Sequence, residues 1–183
     1  KYKNNIRMAT YFRNAFASND VDLAYQPIFS IKSKRIVSYE CLMRLKTEDG
    51  DFISAGPFIK IAERFGFINS VDTFVLEKVV KILSENKNLY FSMNVSNLTS
   101  LNHAWQKKAK KLITSDIGKR LTIEITETGE MRDLQIIEEF ADYIRSLGCK
   151  VSVDDFGIGN TSFAALKVIK PDIIKIDGSF IRD

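Results

Sequence analysis

Apolar positions in the first quarter of this 183-residue chain change from a helical period to strand-like runs. Apolar residues three or four positions apart predict an N-terminal helix over about 5–17. Two strand-like runs follow over 24–30 and 36–44, and the polar segment 32–35 lies between them. Because this connection is so short, the two strands are predicted to form an antiparallel hairpin.

Helices and strands alternate along the rest of the chain. The pattern predicts helices near 55–65, 70–86, 102–115, 132–147 and 161–169, and strands over 90–96, 121–126, 150–155 and 172–177. Gly148 and Pro171 mark the ends of the last two helices, since glycine is favoured just past a helix and proline cannot continue one. We expect strands that are apolar on both faces, as in a parallel sheet covered by helices. The pattern therefore predicts an α/β fold with a mainly parallel sheet.

Polar residues interrupt the apolar strands at or near their C-terminal ends. These residues are Glu40, Asn94, Glu124, Asp154, Asp155 and Lys175. In a (β/α) barrel, this end of the strands forms the catalytic face. An open Rossmann-like sheet also binds ligands there, but no Gly-x-Gly-x-x-Gly segment opens a helix after the first strand. We therefore favour a barrel over an open sheet.

Four carboxylates at one face of a sheet repel one another unless cations neutralise them, so this pattern favours a metal site. Oxygen ligands suit Mg²⁺ or Mn²⁺ better than zinc. The only histidine, His103, falls in a predicted surface helix, and Cys41 and Cys149 are expected to be reduced core thiols. The residues therefore predict a site for a hard divalent cation.

Two features of this polar set have a structural and a functional interpretation. The adjacent Asp154 and Asp155 can cap a helix, or they can share two metal ions that activate a water. Lys175 lies in an apolar strand, where a lysine must pair with a carboxylate or serve a function. The other polar residues at the strand ends favour the functional interpretation for both.

Composition fits a soluble globular protein, with 45% hydrophobic and 27% charged residues. The net charge of +4 comes from basic residues spread along the chain, so duplex nucleic acid is not an expected partner. The chain shows no signal peptide, and reduced cysteines favour the cytoplasm. The cytoplasmic part of a membrane-anchored protein fits the same observations.

The ordered motifs along the chain resemble the EAL domain family. They are Tyr25-Gln26-Pro27-Ile28, Tyr39-Glu40-Cys41-Leu42-Met43-Arg44, Asn94-Val95-Ser96, Glu124-Ile125-Thr126-Glu127, Asp154-Asp155-Phe156-Gly157-Ile158-Gly159 and Lys175-Ile176-Asp177. The resemblance implies a TIM-like (β/α) barrel with an antiparallel first strand, and a phosphodiesterase that hydrolyses cyclic di-GMP to linear pGpG. Cys41 stands where the family usually has alanine, and Ile158 and Asn160 differ from the family's common loop.

Residue roles follow from the same resemblance. The implied ligands of a two-metal Mg²⁺ or Mn²⁺ site are Glu40, Asn94, Glu124, Asp154 and Asp155. Lys175 is implied to hold or polarise the attacking water, and Glu127 to anchor the loop after Asp155. The implied substrate contacts are Gln26, Leu42 and Arg44.

The resemblance also implies a homodimer and upstream sensor or cyclase domains. The family continues past the Lys175 strand with two further strand–helix units, whereas this sequence stops at Asp183. We therefore expect residues 1–183 to be one EAL domain truncated at its C-terminal end, with about six of eight strands and negligible activity as a fragment. Two alternatives stay open, namely a cyclic di-GMP receptor without turnover and an aldolase-like barrel with Lys175 as nucleophile.

Overall fold

The computed structural model describes residues 2–47, 49–126, 131–157 and 163–180. The first half of the chain forms α1 (Tyr2–Ala17), β1 (Val21–Ser30), β2 (Arg35–Lys46), β3 (Phe52–Ser54), α2 (Gly56–Arg64) and α3 (Ile68–Glu85). The second half forms β4 (Phe91–Val95), α4 (Asn97–Ser100), α5 (His103–Leu112), α6 (Ser115–Gly118), β5 (Leu121–Thr126), α7 (Met131–Ser146), β6 (Lys150–Phe156), α8 (Phe163–Ile169) and β7 (Ile173–Ile176). A short 3₁₀ helix, Gly178–Phe180, follows β7.

Every predicted helix and strand is present, and the predicted hairpin is confirmed. β1 and β2 pair antiparallel from Val21 opposite Leu45 to Ser30 opposite Arg35. The short elements β3, α4 and α6 were not predicted, because three or four residues are too few to show a hydrophobic period. The predicted helix near 102–115 ends instead at Leu112, where the backbone becomes extended at Ile113.

The sheet is a half-barrel of strands in the order β1-β2-β4-β5-β6-β7, with β3 paired to the end of β2. β2, β4, β5, β6 and β7 run parallel. Within the described ranges no strand joins β7 to β1, so the predicted incomplete barrel with an antiparallel first strand is confirmed. Parallel order brings the C-terminal ends of five strands to one rim.

The two faces of the sheet differ in polarity. The outer face carries apolar side chains such as Met93, Ile123 and Val153, which are buried beneath the helices in the core that includes Phe12 and Val79. The inner face of β4, β5 and β6 carries Ser92, Asn94, Thr122, Glu124, Ser152 and Asp154. The expectation of strands apolar on both faces is therefore wrong for β4, β5 and β6, because their inner face forms a polar site rather than a second apolar core.

Single residues named from the sequence lie where they were expected. Cys41 and Cys149 are buried and free, and His103 is exposed on α5. Burial raises the pKa of both thiols to about 12, so neither is a reactive thiolate at neutral pH. Across the described ranges, no helix combines the length and apolar character needed to cross a membrane.

Candidate metal centre

Five neighbouring strands bring the predicted polar residues together at the rim of the half-barrel. Glu40 comes from β2, Asn94 from β4, Glu124 from β5, Asp154 from β6 and Lys175 from β7. Asn94 lies opposite Glu124 in the register of β4 and β5, and Asp154 lies one pair further along, opposite Thr126. Residues paired in parallel strands point to the same face of the sheet, so this register places the polar side chains in one cluster.

Lys175 is the centre of this cluster. Its Nζ lies 3.0 Å from Glu40 Oε2, 2.5 Å from Glu124 Oε2 and 3.1 Å from Asp154 Oδ2. The side chains are mostly shielded from solvent, with exposed fractions of 2% for Glu124 and 27% for Lys175. The ammonium therefore ties three strands to β7 through charge-assisted hydrogen bonds.

The three carboxylates also fit a divalent cation. Oxygen atoms of Glu40, Glu124 and Asp154 all lie within 4.8 Å of one another. Ligands around one Mg²⁺ lie up to about 4.2 Å apart, since each Mg–O distance is about 2.1 Å. The upper limit on the spacing of these oxygens is therefore close to the span of one coordination sphere. The all-oxygen donor set suits a hard cation, as the sequence predicted.

Asn94 is the fourth member of the cluster. Its Nδ2 donates a hydrogen bond of 3.1 Å to Glu40 Oε1, which fixes the direction of the carboxamide. The amide nitrogen has no lone pair for a cation, so the amide oxygen is the atom that Asn94 can offer as a ligand. The hydrogen bond also orients Glu40, whose other oxygen contacts Lys175.

Burial and charge shift the pKa values in this site. Burial raises the pKa of Glu124, and the hydrogen bond from Lys175 offsets this only in part. For Lys175, burial lowers the pKa, but the hydrogen bond and charge of Glu124 outweigh it and raise the pKa above its ordinary value. Lys175 is therefore a stable ammonium at neutral pH.

Asp155 lies beside the cluster and not within it. Its backbone is left-handed, with a φ of 54°, and its N–H donates to Asp154 Oδ1 at 2.9 Å. Burial raises the pKa of Asp155, and the nearby charges of Asp154 and Asp177 raise it further. Asp155 is exposed, although its neighbours Asp154 and Phe156 are partly buried. Its predicted role as a ligand of a second metal stays a prediction.

A close contact constrains the turn after Asp155. Gly157 has a φ of 103°, and a Cβ atom there would lie 2.5 Å from the ring of Phe180. Only glycine fits both the backbone and the space at this position. The structure therefore requires a glycine at position 157, the first of the two glycines in this segment. The second, Gly159, lies outside the described residues.

The predicted substrate contacts lie on β1 and β2 next to the cluster. Gln26 pairs directly with Glu40 across the hairpin, while Leu42 pairs with Ala24 and Arg44 with Asp22. Alternation along β2 places Leu42 and Arg44 on the same face as Glu40. The position of all three therefore suits contact with a ligand at the metal centre. Glu127, the predicted loop anchor, lies outside the described residues.

Sequence reasoning missed two acidic residues behind the rim. Asp72 of α3 is only 5% exposed and Glu63 of α2 is half-buried, and both accept hydrogen bonds from Ser96 just after β4. The available signal was Asp72 itself, a charged residue within the apolar stripe of α3. A charged residue at a core position requires a hydrogen-bond partner. The spacing of residues along the sequence does not show which residue that partner is.

Comparisons with known proteins agree with this architecture. The family model described as EAL domain matches residues 10–183. The chain is 29% identical over 187 aligned positions to the cyclic di-GMP phosphodiesterase PdeF of Escherichia coli K12, covering 99% of this chain and 25% of PdeF. It is 31% identical over 186 positions to the cyclic di-GMP phosphodiesterase PdeA of Borreliella burgdorferi, covering 98% of this chain and 28% of PdeA.

A solved structure shows the same fold. The PaMucR phosphodiesterase, in complex with c-di-GMP, superposes with a TM-score of 0.83 at 24% identity, over 96% of this chain and 74% of that one. The chain spans about a quarter of the length of both curated relatives.

Proposed function

Because the chain belongs to the EAL domain family, we propose that it provides the metal centre of a cyclic di-GMP phosphodiesterase, which produces linear pGpG. The observation that carries this proposal is the convergence of Glu40, Glu124 and Asp154 on Lys175 at one rim of the sheet. The names of the relatives PdeF and PdeA support the same substrate.

Each polar residue at the rim has a role in this proposal. The residues that would hold two Mg²⁺ or Mn²⁺ ions are Glu40, Asn94, Glu124, Asp154 and Asp155. When bound, these ions lower the pKa of a water and neutralise charge on the phosphate. Lys175 positions the attacking water by donating a hydrogen bond to its oxygen. Water adds across the phosphodiester bond, so that its oxygen bonds to phosphorus and a proton passes to the departing ribose oxygen.

Substrate and partners complete the proposal. Gln26, Leu42 and Arg44 contact cyclic di-GMP from β1 and β2, and Glu127 anchors the loop that follows Asp155. Residues 1–183 belong to one EAL domain, and the full-length protein acts as a homodimer in the cytoplasm, where Cys41 and Cys149 stay reduced. Sensor or cyclase domains precede it, which fits the greater length of the relatives.

The geometry does not favour an aldolase-like mechanism. A Schiff-base lysine must lose its proton to attack a carbonyl, and enzymes achieve this by lowering its pKa. In this site the hydrogen bonds to Glu124 and Glu40 outweigh the effect of burial and raise the pKa of Lys175. The ammonium is thus stabilised by the same carboxylates that would bind a metal.

Hydrolysis of cyclic di-GMP by the full-length protein tests the proposed function. We expect pGpG, resolved by chromatography, with Mg²⁺ or Mn²⁺, and little product with Ca²⁺ or after chelation. Glu40→Ala and Asp154→Ala should remove turnover, because each removes one oxygen ligand. Cyclic di-GMP binding without any pGpG would instead identify a receptor, and full activity of either variant would contradict the proposed metal site.

A further inference from the structure

The strand that presents Asn94 is followed by Ser96, a residue whose polar atoms are all engaged. The Ser96 N–H donates to Asp72 Oδ2 at 3.0 Å, and Ser96 Oγ donates to Glu63 Oε1 at 2.7 Å. Ser96 Oγ also accepts from Leu98 N at 3.3 Å, and its carbonyl accepts from Thr99 N at 2.9 Å. We call Glu63, Asp72 and Ser96 the Ser96 junction, since it joins α2, α3 and α4 to the end of β4.

The Ser96 junction lies directly behind the metal centre. Ser96 follows Asn94 by two residues, and Val95 between them makes the last pair of the β4–β5 ladder, with Ile125. A cavity of about 110 Å³ is lined by the three junction residues together with Asn94 and Cys41, the neighbour of Glu40. The position of Asn94 is therefore set on one side by the ladder and on the other by the Ser96 junction.

If the role of the Ser96 junction is only structural, its two acidic residues reduce the stability of the fold without a benefit. Asp72 is buried, and among the described residues no cation lies within 4.0 Å of Asp72 or Glu63. Burial raises the pKa of Asp72 to about 6, and the charge of Glu63 adds to this. Two acidic groups without a counter-charge destabilise a fold, and such costs are concentrated at functional sites.

We propose that Asp72 and Glu63 are positioning residues of the metal centre, which act through Ser96 to hold Asn94 in its ligand geometry. This inference rests on the proposed function, because Asn94 matters here as a metal ligand. Asp72 holds the backbone of Ser96 and Glu63 holds its side chain, so the strand end is fixed at two points. Without them β4 is free to fray from Val95, and Asn94 loses its orientation towards Glu40.

Mn²⁺ affinity, measured by calorimetry on the full-length protein without substrate, tests this proposal. Asp72→Ala removes the acceptor for Ser96 N–H, and we expect about tenfold weaker binding, as for other groups that orient metal ligands. Asp72→Asn should restore most of the affinity, because its amide oxygen can accept the same hydrogen bond. Glu63→Ala should weaken binding, and Glu63→Gln should bind almost as tightly as the wild type.

A matched control separates positioning from general stability. Arg120 is buried to the same extent as Asp72, but it lies just before β5, at the opposite end of the sheet from the metal centre. Its guanidinium donates to the carbonyls of Leu83 and Asn86. Arg120→Met should destabilise the protein without changing its Mn²⁺ affinity. Amide hydrogen exchange at 94–96 should accelerate in Asp72→Ala and stay unchanged in Arg120→Met.

The results distinguish a failure of the proposed metal site from a failure of the positioning role of Asp72 and Glu63. Wild-type protein that binds no Mn²⁺ overturns the proposed metal site and this inference together. If the wild type binds Mn²⁺ and folded Asp72→Ala binds it equally well, only the positioning role is overturned. Should Asp72→Ala fail to fold, Ser96→Ala removes only the hydroxyl. Its Mn²⁺ affinity should fall, and adding Glu63→Ala should then have no further effect, whereas unchanged affinity would overturn the proposal.

Discussion

Lys175 carries one positive charge among three carboxylates, so its ammonium leaves two negative charges unbalanced. Excess charge in a largely buried site is unfavourable unless it is compensated. Divalent cations, if bound as proposed, would supply compensation of the required sign. The excess negative charge of the cluster and its oxygen atoms therefore both favour hard cations.

Replacement of Lys175 tests its proposed role in catalysis. In Lys175→Ala we expect kcat for cyclic di-GMP to fall at least about tenfold, with a smaller change in KM, since the ammonium acts on the attacking water. Lys175→Arg should not restore kcat, because a planar guanidinium cannot replace a compact ammonium. Steady-state kinetics on the full-length protein provide both constants.

The exposed Lys150, at the other end of β6, is a suitable control lysine. Lys150→Ala should leave kcat and KM unchanged. Raised KM with unchanged kcat in Lys175→Ala would make Lys175 a substrate contact instead.

Asp72 gives the stability of the protein a pH dependence with a defined sign. Its folded-state pKa of about 6 lies above the ordinary value of 3.8, so the folded protein binds a proton more tightly than the unfolded chain. The stabilisation is therefore complete below pH 3.8 and is lost as the pH rises through 6. Relative to wild type, Asp72→Asn should become more stable between pH 4 and 7, by up to about 3 kcal/mol. Urea unfolding at several pH values measures this difference.

Asp22 offers a control of opposite sign. The hydrogen bond from Lys78 lowers the pKa of Asp22, so its stabilisation is present above the ordinary pKa and is lost as the pH falls below it. Asp22→Asn should therefore lose stability relative to wild type as the pH rises through 4. A pH-independent difference for Asp72→Asn would contradict the raised pKa.

The residues of the metal centre could be predicted because they break an apolar pattern. Glu40, Glu124 and Lys175 each stand out in a strand, and parallel strands place such residues at one rim. The Ser96 junction could not be predicted, because Glu63 and Ser96 are ordinary polar residues in sequence. Their relation to Asp72 depends on how α2 and α3 pack against β4, which spacing along the chain does not determine.

At the scale of elements, the start of a short helix is set by its capping residue rather than by the period of its apolar residues. Asn102 begins α5 with its Oδ1 accepting from Trp105 N at 2.9 Å, and Thr114 caps α6 in the same way. The sequence predicted one helix over 102–115 because the apolar spacing continues past Leu112. Long elements such as α3 and β5 were predicted well, since several turns or alternations reinforce one pattern.

Loss of the Asn102 cap should be measurable. Asn102→Ala leaves the N–H of Trp105 without its partner, and we expect the free energy of unfolding to fall by about 1 kcal/mol. Asn102→Asp keeps an acceptor oxygen and should be close to wild type. Denaturant titration compares the three proteins, and equal stability of Asn102→Ala and wild type would show that the cap has no net effect.

At the scale of the whole molecule, the described half-barrel has two open edges, β1 and β7. β7 exposes apolar side chains, with Ile174 44% and Ile176 60% exposed. Unpaired strand edges with apolar side chains favour association with other strands. The 183-residue chain on its own therefore has a surface suited to self-association.

Light scattering of the isolated 20.9 kDa chain tests this expectation. We expect its apparent mass to rise with concentration, and Ile174→Lys to reduce that rise by placing a charge on the β7 edge. Leu101→Lys, at an exposed apolar position after α4 and away from both open edges, serves as the control and should have little effect. A monodisperse monomer at all concentrations would contradict the role of the open edge.

The contacts of Lys175 also affect the order in which the protein folds. They join residues that are 135, 51 and 21 positions apart along the chain. Closing the longest of these loops costs about 1.6 kcal/mol more chain entropy than closing the shortest. The contact with Glu40 therefore requires most of the sheet to be in place first, since long-range contacts form slowly. The cluster of Lys175 and its three carboxylates is thus complete only once β7 has joined the sheet, so the contact between Lys175 and Glu40 reports that the last described strand has folded.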